Sequence, residues 1–177
     1  ERYPIDTGRM RDVIEAAAKG ARWGRKLPTG PGLGLAVAYS FMSYTAPVVE
    51  VAVAAQGELK VVAVDMAIDC GPQINPERIR AQMEGGAVMG LSLALSGEIS
   101  FDQGRVVQSN FFDFTVLRHA ESPRTIRTHL VNNNHEVPPG GVGEPPVPPV
   151  APALFNAIFA ATGKRIRQLP LRDQLQA

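Results

Sequence analysis

The stretch Val48-Val-Glu-Val-Ala-Val-Ala-Ala-Gln-Gly-Glu-Leu-Lys-Val-Val-Ala-Val-Asp-Met-Ala-Ile-Asp69 decides the fold class. Val48 to Ala55 and Leu59 to Asp69 are rich in Val and Ala and are separated by Gln56-Gly57, a tight-turn pair, so they read as an antiparallel hairpin. The second strand is apolar at successive positions (Val61, Val62, Val64, Met66, Ile68), which implies cover on both faces and a central place in a sheet. Asp65 and Asp69 interrupt it and read as edge or loop-end carboxylates. Upstream, Leu35 to Phe41 forms a further strand-like run, preceded by the turn-rich link Pro28-Thr-Gly-Pro-Gly-Leu-Gly34. That link lacks the Lys-Ser/Thr of a phosphate loop, and its glycines lead into a strand rather than a helix, so it is no dinucleotide fingerprint either. Before it, Asp6 or Thr7 can cap a helix carrying Met10, Val13, Ile14, Ala17 and Ala18 at helical spacing. Gly20 and Gly24 end that helix, and Trp23 is expected to pack nearby.

Downstream, Asp69-Cys-Gly-Pro-Gln-Ile-Asn-Pro76 is a turn cluster, with Asn75 as helix cap and Pro76 at the first helical position. The helix runs through Ile79, Met83, Ala87 and Leu91 to about Leu95. Gly85, Gly86 and Gly90 fall inside it, although each interior glycine costs ~1 kcal/mol relative to Ala. Either a bulky ligand lies against that face or another element packs closely there. Glu98 to Phe101 and Arg105 to Phe112 read as a hairpin about Asp102-Gln-Gly104, and Arg124 to Val131 as a strand. Ala153, Leu154, Ala157, Ile158 and Ala161 define an apolar helix closed by Gly163. Arg165 to Leu169 reads as a short last strand. Strands and helices mix without a regular alternation, so the class is α+β: a mixed, largely antiparallel sheet packed with helices, in a single domain over residues 1–177.

Between the strand read over Arg124 to Val131 and the last helix lies Val137-Pro-Pro-Gly-Gly-Val-Gly-Glu-Pro-Pro-Val-Pro-Pro-Val150, opened by Asn132-Asn-Asn-His135. Proline fixes φ and removes a donor, and glycine permits close backbone approach, so this is a shaped loop whose last prolines enter the first helical turn. Glu144, held between Gly143 and Pro145, has little backbone freedom, which suits a group aimed at one place. The same residues also fit a solvated Glu favouring a helix N-terminus, or a polyproline ligand for a partner domain of the SH3 or WW kind.

Lys+Arg number 18 against Asp+Glu 17 in 177 residues, 45% of them hydrophobic. Such balance gives no nucleic-acid or acidic-membrane footprint, and no apolar run reaches the ~18 residues of a span. Cys70 is the single cysteine, so no intrachain disulfide forms. It has no nearby histidine, and no Gly-x-Ser-x-Gly elbow exists, so a nucleophilic triad is unsupported. His119, His129 and His135 lack zinc-ligand spacing, and no protein-bound metal is expected. The chain opens at Glu1 rather than Met, which suggests a piece of a longer polypeptide.

Several ordered motifs resemble one family. Gly141-Val-Gly-Glu-Pro-Pro-Val147 with Ala153-Leu-Phe-Asn-Ala-Ile-Phe159 resembles the C-terminal signature of molybdenum hydroxylase large subunits, the xanthine dehydrogenase and aldehyde oxidase family. Ala67-Ile-Asp-Cys-Gly-Pro-Gln-Ile-Asn-Pro76 and Gln82-Met-Glu-Gly-Gly-Ala-Val-Met-Gly90 are similar to its cofactor-contacting segment. Gln108-Ser-Asn-Phe-Phe-Asp-Phe114, Leu117-Arg118 and Ala160-Ala-Thr-Gly-Lys-Arg-Ile166 are most similar to the isoquinoline 1-oxidoreductase β-subunit branch. The likeness runs over nearly the whole chain and only over the C-terminal part of the family's subunit.

This resemblance implies water-dependent hydroxylation of an N-heterocycle or aldehyde, with Glu144 as the general base that takes a proton from the attacking hydroxyl. It implies that Gln82 hydrogen-bonds a molybdopterin cofactor, in its cytosine dinucleotide form, which Gly85, Gly86 and Gly143 let approach closely. Asn110 and Phe111 correspond to a segment near the substrate channel. Implied partners are the N-terminal remainder of the subunit and a small subunit carrying 2Fe-2S clusters. Gly140-Gly141 stand where eukaryotic-type members carry a basic residue, which points away from purines. Because the family holds its cofactor between two large subdomains, the isolated chain is expected to fold but to be inactive and cofactor-free. A non-catalytic domain that keeps the fold is the alternative. The compartment stays open between bacterial cytoplasm and periplasm.

Overall fold

The computed structural model describes residues 4–27 and 30–176. Its elements run α1 (Thr7–Gly20), β1 (Pro31–Leu35), β2 (Ala38–Ser40), β3 (Ser43–Val53), β4 (Leu59–Asp69), α2 (Pro76–Leu95), β5 (Phe101–Asp102), β6 (Arg105–Val106), β7 (Thr125–Leu130) and α3 (Val150–Thr162). Among the described residues, five strands form one sheet in the order β1-β3-β4-β7, with β2 also pairing β3, and β5 and β6 pair separately. All pairings are antiparallel except β4 with β7. The α+β class with a mixed, largely antiparallel sheet therefore holds. The parallel pair follows from geometry: β4, α2 and β7 make a crossover, the connection that parallel neighbours require.

The β3–β4 hairpin forms as read, closed by Ala54 N–H on the Glu58 carbonyl and Gly57 N–H on the Ala54 carbonyl, both at 2.9 Å. Strand parity then sorts the core. Val49 and Val51 of β3 and Val64, Met66 and Ile68 of β4 meet α2 and α3, while Tyr44, Ala46, Val48 and Ala67 meet Val13 and Ala17 of α1. Ile79, Met83, Ala87 and Leu91 form the buried face of α2, whose cap is the Asn75 side chain accepting from Arg78 N–H at 3.1 Å. Asp6 caps α1 by accepting from Gly8 and Arg9 N–H, and Gly163, at φ 74°, closes α3.

Several expectations change. Trp23 follows the end of α1, its N–H on the Ala18 carbonyl at 2.8 Å, and its side chain is half exposed. Pro28 and Thr29 of the turn-rich link lie outside the described residues, and its second half is strand β1. Gly32 and Gly34 suit that strand because α3 lies directly on it. A Cβ on Gly32 would meet the Ala157 carbonyl, and one on Gly34 the Ala153 carbonyl and the Ala157 N–H. The run Leu35 to Phe41 splits into the end of β1 and the short β2, both along β3. The hairpin after residue 98 keeps only two residues per strand, and no strand forms over 165–169 among the described residues.

Asp65 and Asp69 are not edge carboxylates; they are 1% and 0% exposed. By parity both face the α1 side, where cations meet them. Arg9 of α1 holds Asp69 through Nε at 3.0 Å and Nη2 at 2.7 Å. Arg127 Nε donates to Asp65 at 2.7 Å, and His129 Nε2 lies 2.8 Å from the same carboxylate. Burial pushes both carboxyls up, but these hydrogen bonds and charges, with Gly71 N–H and Asn132 on Asp69, bring both below the ordinary range. A lowered folded pKa means stability that is complete above the unfolded value of about 3.9 and is lost as pH falls through the folded values beneath it. Asp69 is buried and Arg9 only partly so, so removing the carboxylate's charge costs about 1.5–3 kcal/mol, the worth of hydrogen bonding to a charged group. Asp69→Asn should therefore lower stability at pH 7 by about that amount and flatten the loss of stability below pH ~4. Urea unfolding across pH 2.5 to 7 reads both effects; unchanged curves would contradict the assigned pair.

Candidate functional site

The Pro-Gly loop crosses the sheet at the start of β3 and the end of β4. Gly140 N–H donates to the Cys70 carbonyl at 2.9 Å and Gly141 N–H to the Phe41 carbonyl at 2.8 Å. Ser43 Oγ donates to the Gly141 carbonyl at 2.6 Å, and Thr45 Oγ1 to the Pro145 carbonyl at 2.8 Å. Val147 N–H returns to the Glu144 carbonyl at 3.0 Å. Pro145 and Pro146 are buried, while Glu144 itself is exposed. The loop's backbone is thus anchored on both sides of a carboxylate that is left free to meet a ligand.

Opposite the loop stands α2. Gln82, Gly85, Gly86 and Met89 recur at helical spacing on one face of it. These four, with Ser40, Phe41, Gly143, Glu144, Val147 and Pro148, line a groove of about 540 Å³, within the usual range for small-molecule sites. Gln82, Gly85, Gly86, Gly143 and Glu144, the residues singled out in the sequence, all meet there. Asn110 and Phe111 do not line it. They lie in an exposed turn over Ser109–Asp113, where the Asp113 carboxylate accepts the Ser109 and Asn110 backbone N–H groups. Those bonds to the charged form hold the Asp113 carboxyl below its ordinary range. A larger cleft, about 910 Å³, lies between α2 and residues 117–126 with His119 and Arg124 on its wall. It shares Gly85 with the groove but contains neither Glu144 nor Gln82.

The glycines of α2 divide by role. A Cβ on Gly86 would strike the Pro146 ring, and one on Gly90 would come within 2.7 Å of Val150 Cβ. Both make room for the loop and α3, so close packing explains them. A Cβ on Gly85 or Gly143 would meet nothing within 4 Å; both face the open groove. Sequence reading missed Ser43 and Thr45, two fully buried hydroxyls at i, i+2 spacing on the strand face that continues as Val49 and Val51. That spacing was the available signal. No group of three or more His, Cys, Asp or Glu able to hold a metal ion occurs among the described residues, and Cys70 is a buried free thiol whose pKa burial pushes up. No described helix is long and apolar enough to cross a membrane.

Residues 12–123 match the molybdopterin cofactor-binding domain family. The chain is 34% identical over 167 residues to the isoquinoline 1-oxidoreductase β subunit of Brevundimonas diminuta, covering 92% of this chain and 21% of that protein. It is also 34% identical over 170 residues to one of the subunits of the Pseudomonas putida nicotinate dehydrogenase, covering 95% of this chain and 13% of that protein. Among solved structures, the aldehyde oxidoreductase of Desulfovibrio gigas superposes with a TM-score of 0.64 at 28% identity, over 75% of this chain and 15% of that one. The chain therefore spans about a fifth or less of the length of these relatives.

The glycine assignment makes opposite expectations for neighbouring positions. Gly85→Ala should raise stability by up to ~1 kcal/mol, the ordinary helix-propensity gain, while Gly86→Ala should lower it by about 1–3 kcal/mol through overpacking against Pro146. Thermal or urea unfolding of the two variants distinguishes them; equal effects would contradict the division.

Proposed function

The chain belongs to the molybdopterin cofactor-binding domain family, and from that premise we propose that it forms part of a molybdenum hydroxylase in which Glu144 is the general base. The substrate class is an N-heterocycle or an aldehyde, the classes in the names of the relatives above. The observation that carries the reading is the meeting of Gln82, Gly85, Gly86, Gly143 and Glu144 in one groove.

The groove suits the cofactor. Gly85 and Gly143 leave open the space that a Cβ would occupy, so a flat ring system can lie against bare backbone. Gln82, one turn before Gly85–Gly86, offers an amide donor and acceptor to the ring edge. When bound, the cofactor supplies the two-electron oxidation that places a water-derived oxygen on the substrate. Glu144 accepts at its carboxylate the proton that leaves that oxygen as it becomes nucleophilic. The anchored backbone on either side sets where the carboxylate stands, and the rest of the site need not reorganise to meet it. Phe41, Met89 and Val147 give the groove apolar walls, which favour a flat organic substrate.

Within the same reading, the cofactor is the cytosine dinucleotide form, the N-terminal remainder of a longer subunit covers the groove, and a small subunit with 2Fe-2S clusters takes the electrons. The exposure of Glu144 supports such a cover. The 177-residue chain alone is expected to fold without cofactor or turnover.

The test is Glu144→Gln in the assembled, molybdenum-loaded enzyme. General acid–base participation is worth about 10²–10⁴-fold, so kcat should fall by at least the lower figure while molybdenum and pterin content stay at the parent level. Retained turnover at full cofactor content would remove Glu144 from the reaction. Stoichiometric molybdenum on the 177-residue chain by itself would sink the expectation that a second subdomain is needed.

A further inference from the structure

We infer that Ser43 and Thr45 are positioning residues for Glu144, forming a two-point clamp through which β3 sets the depth of the carboxylate in the groove. The inference rests on the general-base reading of Glu144 and adds to it a part of the fold that is remote in sequence.

Ser43 and Thr45 are both 0% exposed. They lie at i, i+2 on β3, so they share one face, and parity makes it the face whose later residues, Val49 and Val51, belong to the apolar core with α2 and α3. A hydroxyl buried among apolar groups costs free energy unless it is hydrogen-bonded. Apolar residues would serve packing there without that cost. Both hydroxyls instead donate to loop carbonyls about a hundred positions away, Ser43 to Gly141 at 2.6 Å and Thr45 to Pro145 at 2.8 Å. The two accepting residues bracket Val142, Gly143 and Glu144.

Three residues between two fixed peptide groups have little freedom to drift. Pro145 and Pro146 fix φ immediately after Glu144, and Pro146 rests against Gly86 of α2. Gly141 N–H is returned to the Phe41 carbonyl, in the turn Phe41–Met42 that joins β2 to β3, so the clamp and one groove wall share a short piece of chain. Phe41 and Met42 both have positive φ, 49° and 64°. That is the conformation of a two-residue hairpin turn normally filled by Asn or Gly. The chain accepts an unfavourable backbone at the residue whose carbonyl supports the loop and whose side chain lines the groove, the usual place for such strain.

The experiment pairs two readouts. Thr45→Val keeps the shape and removes the hydroxyl, Thr45→Ser restores a hydroxyl, and Ser43→Ala tests the other point. Backbone hydrogen exchange at Gly141 and Val147, measured in the 177-residue chain, should quicken roughly fivefold to tenfold in Thr45→Val, the factor carried by one hydrogen bond of ordinary worth. In the assembled enzyme kcat should fall by about 100-fold, as a misplacement of about 1 Å does, with KM changed less than twofold and molybdenum content unchanged. Thr45→Ser should recover both, which a general loss of packing would not allow. Unchanged exchange in both Thr45→Val and Ser43→Ala overturns the clamp. So does quickened exchange with parental kcat in an enzyme that Glu144→Gln inactivates. If Glu144→Gln itself keeps full turnover, the general-base reading fails instead, and exchange alone then reports that β3 holds the loop.

Discussion

A carboxylate with no solvent contact needs partners, and Asp69 has four hydrogen bonds: two from Arg9, one from Gly71 N–H and one from Asn132. These tie together the first helix, the end of the central strand, the turn after it and the segment after β7. Between Asp69 and Gly71 stands Cys70, whose carbonyl receives Gly140 N–H. The ion pair therefore does more than join α1 to the sheet. It fixes the turn on which the Glu144 loop begins. Because an unpaired buried charge costs several kcal/mol, the turn and α1 are expected to hold or fail together.

The sheet is covered on two faces that use different physics. Toward α2 and α3, β3 and β4 present Val, Met and Ile, and the helices meet them through apolar burial. Toward α1 the same strands present Asp65 and Asp69 as well as Ala and Val, and Arg9, Arg127 and His129 answer them. The apolar face has room for shape, and glycines in β1 and α2 use it to bring α3 and the loop close. The polar face has room for direction, and it latches the first helix.

How far this was legible depends on whether the signal was local. Asn75-Pro76 and the 79, 83, 87, 91 spacing marked α2 because a cap and a period are contained in the helix itself. The β3–β4 hairpin was legible for the same reason. Asp65 and Asp69 were not, because Arg9 lies 60 positions from Asp69 and Arg127 lies 62 from Asp65. Without those partners a carboxylate in an apolar strand looks like an interruption. Pro31 to Gly34 looked like part of a link because glycine and proline usually punctuate, and only α3, more than a hundred residues later, makes small residues correct there. The parallel partner of β4 was hidden by residues 96–124, which separate α2 from β7 and break the strand–helix–strand rhythm.

The groove was legible in a different way. Motif resemblance singled out seven residues, and the fold brings five of them, on two segments, to one place while Asn110 and Phe111 stand apart; what resemblance did not contain was the reason the five stay there. Gly86 and Gly90 sit in the same motif as Gly85 but serve the packing of Pro146 and Val150. A motif thus mixes a glycine that opens onto the groove with glycines that let neighbouring elements approach, and only the space beside each one separates them. Glu144 poses the same distinction in reverse. Its side chain is exposed and its backbone is held, through Pro145 and Gly141, by hydroxyls of a strand that no motif included. The carboxylate belongs to the loop, but the backbone that carries it is hydrogen-bonded to β3.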